Sequence, residues 1–381
     1  MTFATVPRAD EEEPFVVLGA NIATSSSAIM KHEEKLSAKQ ERYFELLRNT
    51  PLHPQVAFTL LRICGSPRIL YHCAVTPPAQ LTNMVRLFDK TLKQHCEWLL
   101  DTTGQTKLTR MDVYSRKGLG MSEYGTHHQE IFERYRSMAL NGEKDAPRVS
   151  LYINDDNTLD GVTSAQLDAQ FLFFNMRDSL TPAEFRLSLM VRLNKLTIDE
   201  KIYGKCNCGV AFEGDDAQTI EHILRCDMST GVTHSTRHNL VRDAIISTAR
   251  QYGLTMTKEP SIFAYANGKK QRPDIMAHTM PMNIVTDVTL VHYEEDMQHI
   301  EKKKTKIHSD AVNKGHGIFI PFVMHTRGTL GTKAENYIRS LAKAVQPCYQ
   351  VAFARDVKHA ISVAAAKGRA HALSSTMSKH R

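Results

Sequence analysis

Four metal-seeking side chains fall inside 21 residues: Cys206, Cys208, His222 and Cys226. They run Cys-x-Cys, thirteen residues, then His-x3-Cys. Three thiols and an imidazole in this grouping suit a closed tetrahedral Zn²⁺ site. So short a piece cannot fold on a core of its own, and the energy of metal binding becomes its folding energy. Gly204, Gly209 and Gly214 supply tight turns around the sulfurs, and Ile220 and Leu224 pack beneath the short helix that presents His222 and Cys226.

The remaining cysteines, Cys64, Cys73, Cys96 and Cys348, are scattered and read as core or half-buried thiols. This usage points to metal ligation in a reducing compartment, not to a disulfide framework. The first fourteen residues are polar and acidic, unlike a secretory leader, and the longest apolar runs are far short of a membrane span. The 381 residues, 42% of them hydrophobic, give room for two or three domains with real cores.

Charge is divided at the cluster. Residues 231–381 hold 22 Lys+Arg against 11 Asp+Glu, a net of +11, whereas residues 1–230 hold 26 against 30, a net of −4. The positive field therefore follows the cysteines, where it attracts phosphate or forms a solvated surface.

The periodicity predicts an α+β chain with a helical N-terminal half. Residues 14–25 read as a strand and turn, and 26–100 as helices, with Leu36, Tyr43, Leu46 and Leu47 on one face. Pro54 opens a helix, and residues 79–100 form a long amphipathic helix carrying Phe88, Leu92 and Trp98. Residues 101–150 hold a turn at Gly118–Gly120, a polar helix near 123–140 and a linker from Asn141, and residues 160–200 return to helix. Beyond the cluster, Leu240, Val241, Ala244, Ile245, Thr248, Ala249 and Tyr252 recur at helical spacing up to a stop at Gly253. Strands are expected over 261–265 and 271–277, joined by an Asn267-Gly268 hairpin turn, and over 283–291. A charged helix over 294–312, a strand over 317–324 with Pro321 at an edge or bulge, a helix over 332–345 and a loose basic helical tail complete the order.

Two carboxylates stand out in this second half. Asp287 interrupts the apolar run NIVTDVTLV, and a buried carboxylate needs a partner or an ion. Asp274, separated from it by twelve residues across a turn, is expected at the same end of the sheet. Two such oxygen donors can hold Mg²⁺ or Mn²⁺, which activates water and stabilises charge on a phosphodiester in transition. A lysine of the run Lys302, Lys303, Lys304 and Lys306 is expected to complete the set, with Lys303 or Lys306 facing the acids and the others meeting phosphate. Arg237, His238 and Asn239 are expected to contact phosphate at a helix N-terminus, the alternative being that His238 and Asn239 only cap and brace that helix, and Arg272 is expected to contact DNA as well.

The order CxC…HxxxC, Arg237-His238-Asn239, Glu259-Pro260, Arg272-Pro273-Asp274, Asp287-Val288-Thr289 and Lys303-x2-Lys306 resembles the C-terminal region of site-specific non-LTR retrotransposon polyproteins. The tract IPFVMHTRGTLGTKAENYI is similar to the strand, turn and helix that close that region. The resemblance implies a zinc knuckle at 201–230 and a restriction-like endonuclease with an αβββαβ core at 231–345, followed by a basic tail at 346–381. In that class the lysine follows the second acid by two residues, a position held here by Thr289. Residues 1–105 more weakly resemble the thumb of the reverse transcriptases, with a helical connector at 106–200. The string YINDD at 152–156 mimics a polymerase turn, but no upstream aspartate in a strand accompanies it. The implied activity is metal-dependent nicking of nuclear target DNA, with structural Zn²⁺ and catalytic Mg²⁺ or Mn²⁺. Implied partners are the DNA target, the element RNA and upstream polymerase domains of a longer parent chain. The rival expectations are a nucleic-acid-binding remnant without catalysis and a domesticated protein-interaction scaffold.

Overall fold

The computed structural model describes residues 15–17, 20–22, 25–100, 106–115, 118–142, 180–196, 204–212, 215–226, 233–263, 272–292 and 295–380. The chain divides into two compact units, residues 1–156 and 157–381. The YINDD string and Gly214 lie outside the described residues.

The first unit begins with an antiparallel pair, β1 (Phe15–Val17) and β2 (Ala20–Ile22), and continues in helices. Helix α1 (Ser26–Asn49) is capped by the Ser25 hydroxyl, which accepts from Ala28 N. Its buried stripe is Ala28, His32, Leu36, Gln40, Phe44 and Leu47. The expected face is thus rotated, because Phe44 takes the core and leaves Leu46 58% exposed. The Phe44 ring lies 5.7 Å from Phe88 and 4.6 Å from His95, both on α4 (Thr82–Leu100). Between α1 and α4, α2 (Pro54–Leu60) starts with proline in its first turn, and α3 (Leu70–Val75) follows a widened and then a tightened turn. The short α5 (Arg110–Tyr114) carries a Thr109–Asp112 capping box, and α6 (His128–Asn141) stops at Gly142 with φ +66°.

The second unit mixes helix and sheet. Helix α7 (Pro182–Leu193) opens on a Thr181–Glu184 capping box. The short α8 (Asp216–Arg225) is capped by Asp215. Then come α9 (Thr233–Gln251), β3 (Thr255–Lys258), β4 (Ile275–His278), β5 (Asn283–Thr286), β6 (Val288–Val291), α10 (Met297–Lys314), β7 (Gly317–Phe319), β8 (Phe322–His325), α11 (Thr332–Ala344) and α12 (Gln350–His380). Gly253, at φ +83°, ends α9 as its left-handed stop. One sheet has the order β3-β4-β5-β7, antiparallel twice and then parallel, and a second pairs β6 with β8 in parallel.

The first strand of the expected hairpin is displaced. It runs over Thr255–Lys258, ahead of Glu259, and pairs with Ile275–His278, while Asn267-Gly268 lie outside the described residues. The expected strand at 283–291 is two strands broken at Asp287, and the one at 317–324 is broken at Ile320-Pro321. Both parallel ladders keep one register, since Asn283 pairs with Gly317 and Val288 with Phe322, an offset of 34 in each case. Ile320 N donates to Val285 O and Phe322 N to Asp287 O, so the main chains stay in step across the gap. The next bond of a regular ladder would reach the Ile320 carbonyl from Asp287 N–H, and that carbonyl accepts the Thr286 hydroxyl at 2.5 Å.

The core of this unit is Val241, Ile245 and Ala249 of α9, Ile275 and Ala277, Val288 and Leu290, Phe322 and Met324, and Tyr337, Ile338 and Leu341 of α11. The segment expected as a loose basic tail joins that core: Phe353, Val357, Ile361, Ala364 and Ala365 of α12 pack into it. Its many alanines let α12 lie close to α9, and Gly368 sits where an added Cβ would stand 2.7 Å from Arg237 Cγ. None of the described helices is long and apolar enough to cross a membrane.

Candidate metal centre and acid pair

The four ligands of the first cluster come from a hairpin-like turn and one helix. Cys206 N donates to Val210 O, Gly209 N to Cys206 O and Phe212 N to Gly204 O, which curls Cys206 and Cys208 back on themselves. Gly204 and Gly209 hold φ values of +97° and +92°, a region that favours glycine. Helix α8 supplies His222, and Cys226 stands at its C-cap, its N–H donating to His222 O. Ile220, Ile223 and Leu224 are fully buried beneath the helix.

All four ligand atoms lie within 4.8 Å of one another. Cys206 Sγ is 3.7 Å from Cys226 Sγ, and Cys208 Sγ is 3.4 Å from His222 Nε2. A tetrahedral zinc with arms of about 2.3 Å to sulfur and about 2.0 Å to nitrogen has edges of roughly 3.8 and 3.6 Å. The cluster fits that ion, and burial lowers the affinity of the His222 imidazole for a proton, which favours the neutral, ligating form.

The acid pair is built by the sheet. Ile275 pairs with Thr286 at the end of that ladder, and Asp274 and Asp287 are the next residues out on the two strands, where their side chains meet. Asp274 N donates to Thr286 O at 3.0 Å, one residue out of that ladder's register, so the chain is offset at this step. Where the β4 main chain leaves off, the Asp274 side chain takes over: its Oδ2 accepts from Val288 N at 2.6 Å and from His238 Nε2 at 2.9 Å. Lys304 Nζ reaches Asp287 Oδ2 at 2.6 Å from α10, one helical turn before His308, whose Nε2 stands 4.0 Å from Asp287 Oδ1. The His308 ring stacks on Phe319 at 4.9 Å.

Facing carboxylates repel, and their environments separate them. Burial and then the Asp274 charge push Asp287 up to about 6, partly offset by Lys304. Asp274 goes the other way. Burial opposes its ionisation, but the His238 hydrogen bond and charge and the Val288 N–H outweigh it, so its carboxyl lies below the usual range. His238 is held up in turn, the bond and charge of Asp274 outweighing burial. Burial and the nearby Lys304 charge push His308 down to about 4, so it is neutral.

At this sheet edge the chain presents two carboxylates, an ammonium and two imidazoles. No protein-family model matches the chain. Its sequence is similar to the retrotransposable element SLACS 132 kDa protein of Trypanosoma brucei gambiense, at 21% identity over 381 aligned residues, covering 93% of this chain. The chain spans 32% of the length of that relative. This similarity supports a retrotransposon-related protein.

The structure brings together Asp274, Asp287 and His238 but exchanges the lysine. Lys302, Lys303 and Lys306 lie exposed on α10, and Lys304 faces the acids. Stepping back from the buried Ala311-Val312 by threes and fours reaches His308, Lys304 and Glu301, a helical signal that names the inward lysine. His308 lies on the same inward stripe. Glu301 on that stripe accepts Lys333 N at 2.9 Å and serves the start of α11, whose own N-cap, Gly331, offers no side chain. Arg237, His238 and Asn239 lie in the second turn of α9, because that helix begins at Thr233. Arg237 is 3% exposed and donates to Leu224 O at 2.6 Å, so it braces the interior. Asn239 and Arg272 are exposed. Thr289 shares the sheet face of Asp287, and its buried Oγ1 has no hydrogen-bond partner among the described residues.

Proposed function

We propose that the second unit is the metal-dependent DNA endonuclease portion of a non-LTR retrotransposon protein, built on a restriction-like core beside a zinc knuckle. The observation that carries this reading is the convergence of Asp274, Asp287 and Lys304 at the strand break. Counting β5–β6 and β7–β8 each as one interrupted strand, its order from α9 to α11 is helix, three strands, helix, strand and helix, consistent with such a core.

Asp274 and Asp287 offer the oxygen donors that a hard divalent cation takes, and would hold Mg²⁺ or Mn²⁺ between them. Such an ion supplies Lewis acidity and lowers the pKa of a bound water. His238 and Val288 N–H occupy Asp274 Oδ2, which would leave Oδ1 for the cation. The Lys304 ammonium stands where it would meet negative charge on a phosphodiester, taking the part that Thr289 cannot play. The exposed Lys302, Lys303, Lys306, Arg272 and Asn239 would contact the DNA backbone. Nicking of nuclear target DNA would release a 3′-hydroxyl for reverse transcription by polymerase domains of a longer parent chain, with the element RNA as template. The helical first unit would serve as thumb and connector.

The test is nicking of a supercoiled plasmid with Mg²⁺ or Mn²⁺. Wild type is expected to nick, and Asp274→Ala, Asp287→Ala and Lys304→Met to fail. Equal cutting by the two aspartate variants would sink the site assignment. Salt-dependent DNA binding with no metal-dependent cleavage would mark a remnant that has lost its chemistry.

A further inference from the structure

Arg237 has a buried guanidinium and no route to DNA, yet it is adjacent in sequence to His238, which holds Asp274. It donates to Leu224 O, in the last turn of the helix that carries His222 and ends at Cys226. The carbonyl it takes is one of the last four of that helix, which have no partner within the helix. Gly368 of α12 closes over its aliphatic stem.

A second tie leaves the same helix from Glu221, the neighbour of His222. Glu221 Oε2 accepts from Arg327 at 3.1 Å, and its Oε1 stands 3.8 Å from His292 Nδ1. His292 follows β6, the strand that begins just after Asp287, and Arg327 follows β8, its parallel neighbour. Arg327 also donates to Asn194 at the end of α7. The zinc-type cluster is therefore braced toward both acids: through Arg237 to the helix whose His238 holds Asp274, and through Glu221 to the far end of the strand that begins after Asp287.

We propose that Arg237 and His238 are positioning residues that make the geometry of the acid pair depend on the zinc-type cluster. The inference rests on the endonuclease reading above. Filling the cluster fixes α8, Leu224 O then fixes Arg237, and the turn of α9 so held aims His238 Nε2 at Asp274 Oδ2. With that oxygen occupied, Asp274 presents the other to the cation. Groups that orient a metal ligand typically govern about 10–100-fold in metal affinity when removed.

The experiment is Mn²⁺ binding by the full zinc-loaded chain, followed by electron paramagnetic resonance without DNA, with zinc content measured in parallel. The wild type is expected to take up Mn²⁺ and Asp287→Asn to lose it. His238→Ala is expected to weaken Mn²⁺ binding by about tenfold or more, and His238→Gln, which keeps a donor, to recover most of it. Arg237→Met, which keeps the stem and removes the donor, should weaken Mn²⁺ several-fold while zinc stays at one per chain. Glu221→Gln tests the second tie in the same way, and thermal melting of each variant identifies any that unfolds. If Arg237→Met and His238→Ala bind Mn²⁺ like wild type while Asp287→Asn does not, the positioning proposal is overturned and the acid site stands. If Asp287→Asn binds as well as wild type, the endonuclease reading itself fails.

Discussion

The zinc-type cluster and the acid pair sit in the same unit and are built by opposite means. The cluster gathers four ligands from one turn and one short helix, and its glycines and Asp215 cap are all local. The acid pair draws on α9, β4, the β5–β6 break and α10, elements spread from His238 to His308. One site is a local turn and helix whose four side chains could hold a metal ion. The other brings two like charges together at the end of a sheet, where burial, His238 and Lys304 separate their proton affinities. A local site stands or falls with its ion, whereas a site assembled from distant elements can lose its chemistry while the fold persists.

That contrast is broken most sharply by removing the ion. Chelation, or Cys206→Ser, is expected to unfold residues 204–226, because structural zinc contributes about 10–16 kcal/mol in isolated finger peptides. Limited proteolysis should cut within that segment, and stoichiometric zinc release should accompany the loss. An unchanged digestion pattern in the zinc-free protein would show that the cluster folds without metal.

The acid pair should behave the other way. Asp274→Ala and Asp287→Ala are expected to lower nicking by about 10²-fold or more, with circular dichroism unchanged. The pH dependence has a definite sign. Holding a cation requires ionised Asp287, so nicking should fall as pH drops through about 6. Stability moves oppositely for this group. Its folded value lies above the ordinary 3.8, so its contribution is full below 3.8 and is lost as pH rises through about 6. Relative to wild type, the melting temperature of Asp287→Asn should therefore rise across that window, by roughly 2–4 °C per kcal/mol. A difference that shrinks with rising pH would mean that Asp287 is not held up by its neighbours.

The lysines sharpen the comparison at smaller scale. Lys304→Met is expected to abolish nicking with little change in DNA affinity. Lys303→Met and Lys306→Met should nick, but each should reduce the slope of log affinity against log salt by about one. The reverse pattern, measured by plasmid nicking and fluorescence anisotropy, would return the catalytic part to the exposed lysines.

The lysine exchange also shows where the sequence was legible. The four zinc-type ligands, the helix ending at Gly253 and the mixture of helix and sheet beyond it could be read from local patterns, because each depends on residues a few positions apart, whereas the place of the first strand and the two strand breaks could not. Asp287 was conspicuous because it breaks an apolar run. What could not be read locally is how elements face one another. The inward lysine is set by the roll of α10, fixed by Ala311 and Val312 at its far end. Arg237 resembled a phosphate contact until α8 and α12 closed over it. The long last helix looked like a basic tail because its core stripe is largely alanine, which carries little hydropathic signal.

The smallest effect concerns the strand break that shapes the acid site. Pro321 lacks an N–H and lies opposite Asp287, so it is the obvious cause. Its position says otherwise. Ile320 N and Phe322 N both donate toward β5 and β6, so the nitrogen of Pro321 faces the other way, where a ladder loses nothing. The Ile320 carbonyl that the ladder would use accepts the Thr286 hydroxyl instead. Pro321→Ala should then change stability by less than about 0.5 kcal/mol and leave nicking intact. Thr286→Val, nearly the same shape without the hydroxyl, should cost about 1 kcal/mol for the lost hydrogen bond and disturb Asp287 enough to lower nicking. If urea denaturation and plasmid nicking rank the two variants in the opposite order, the break belongs to the proline and the geometry of the acid pair is inherited from the edge strand.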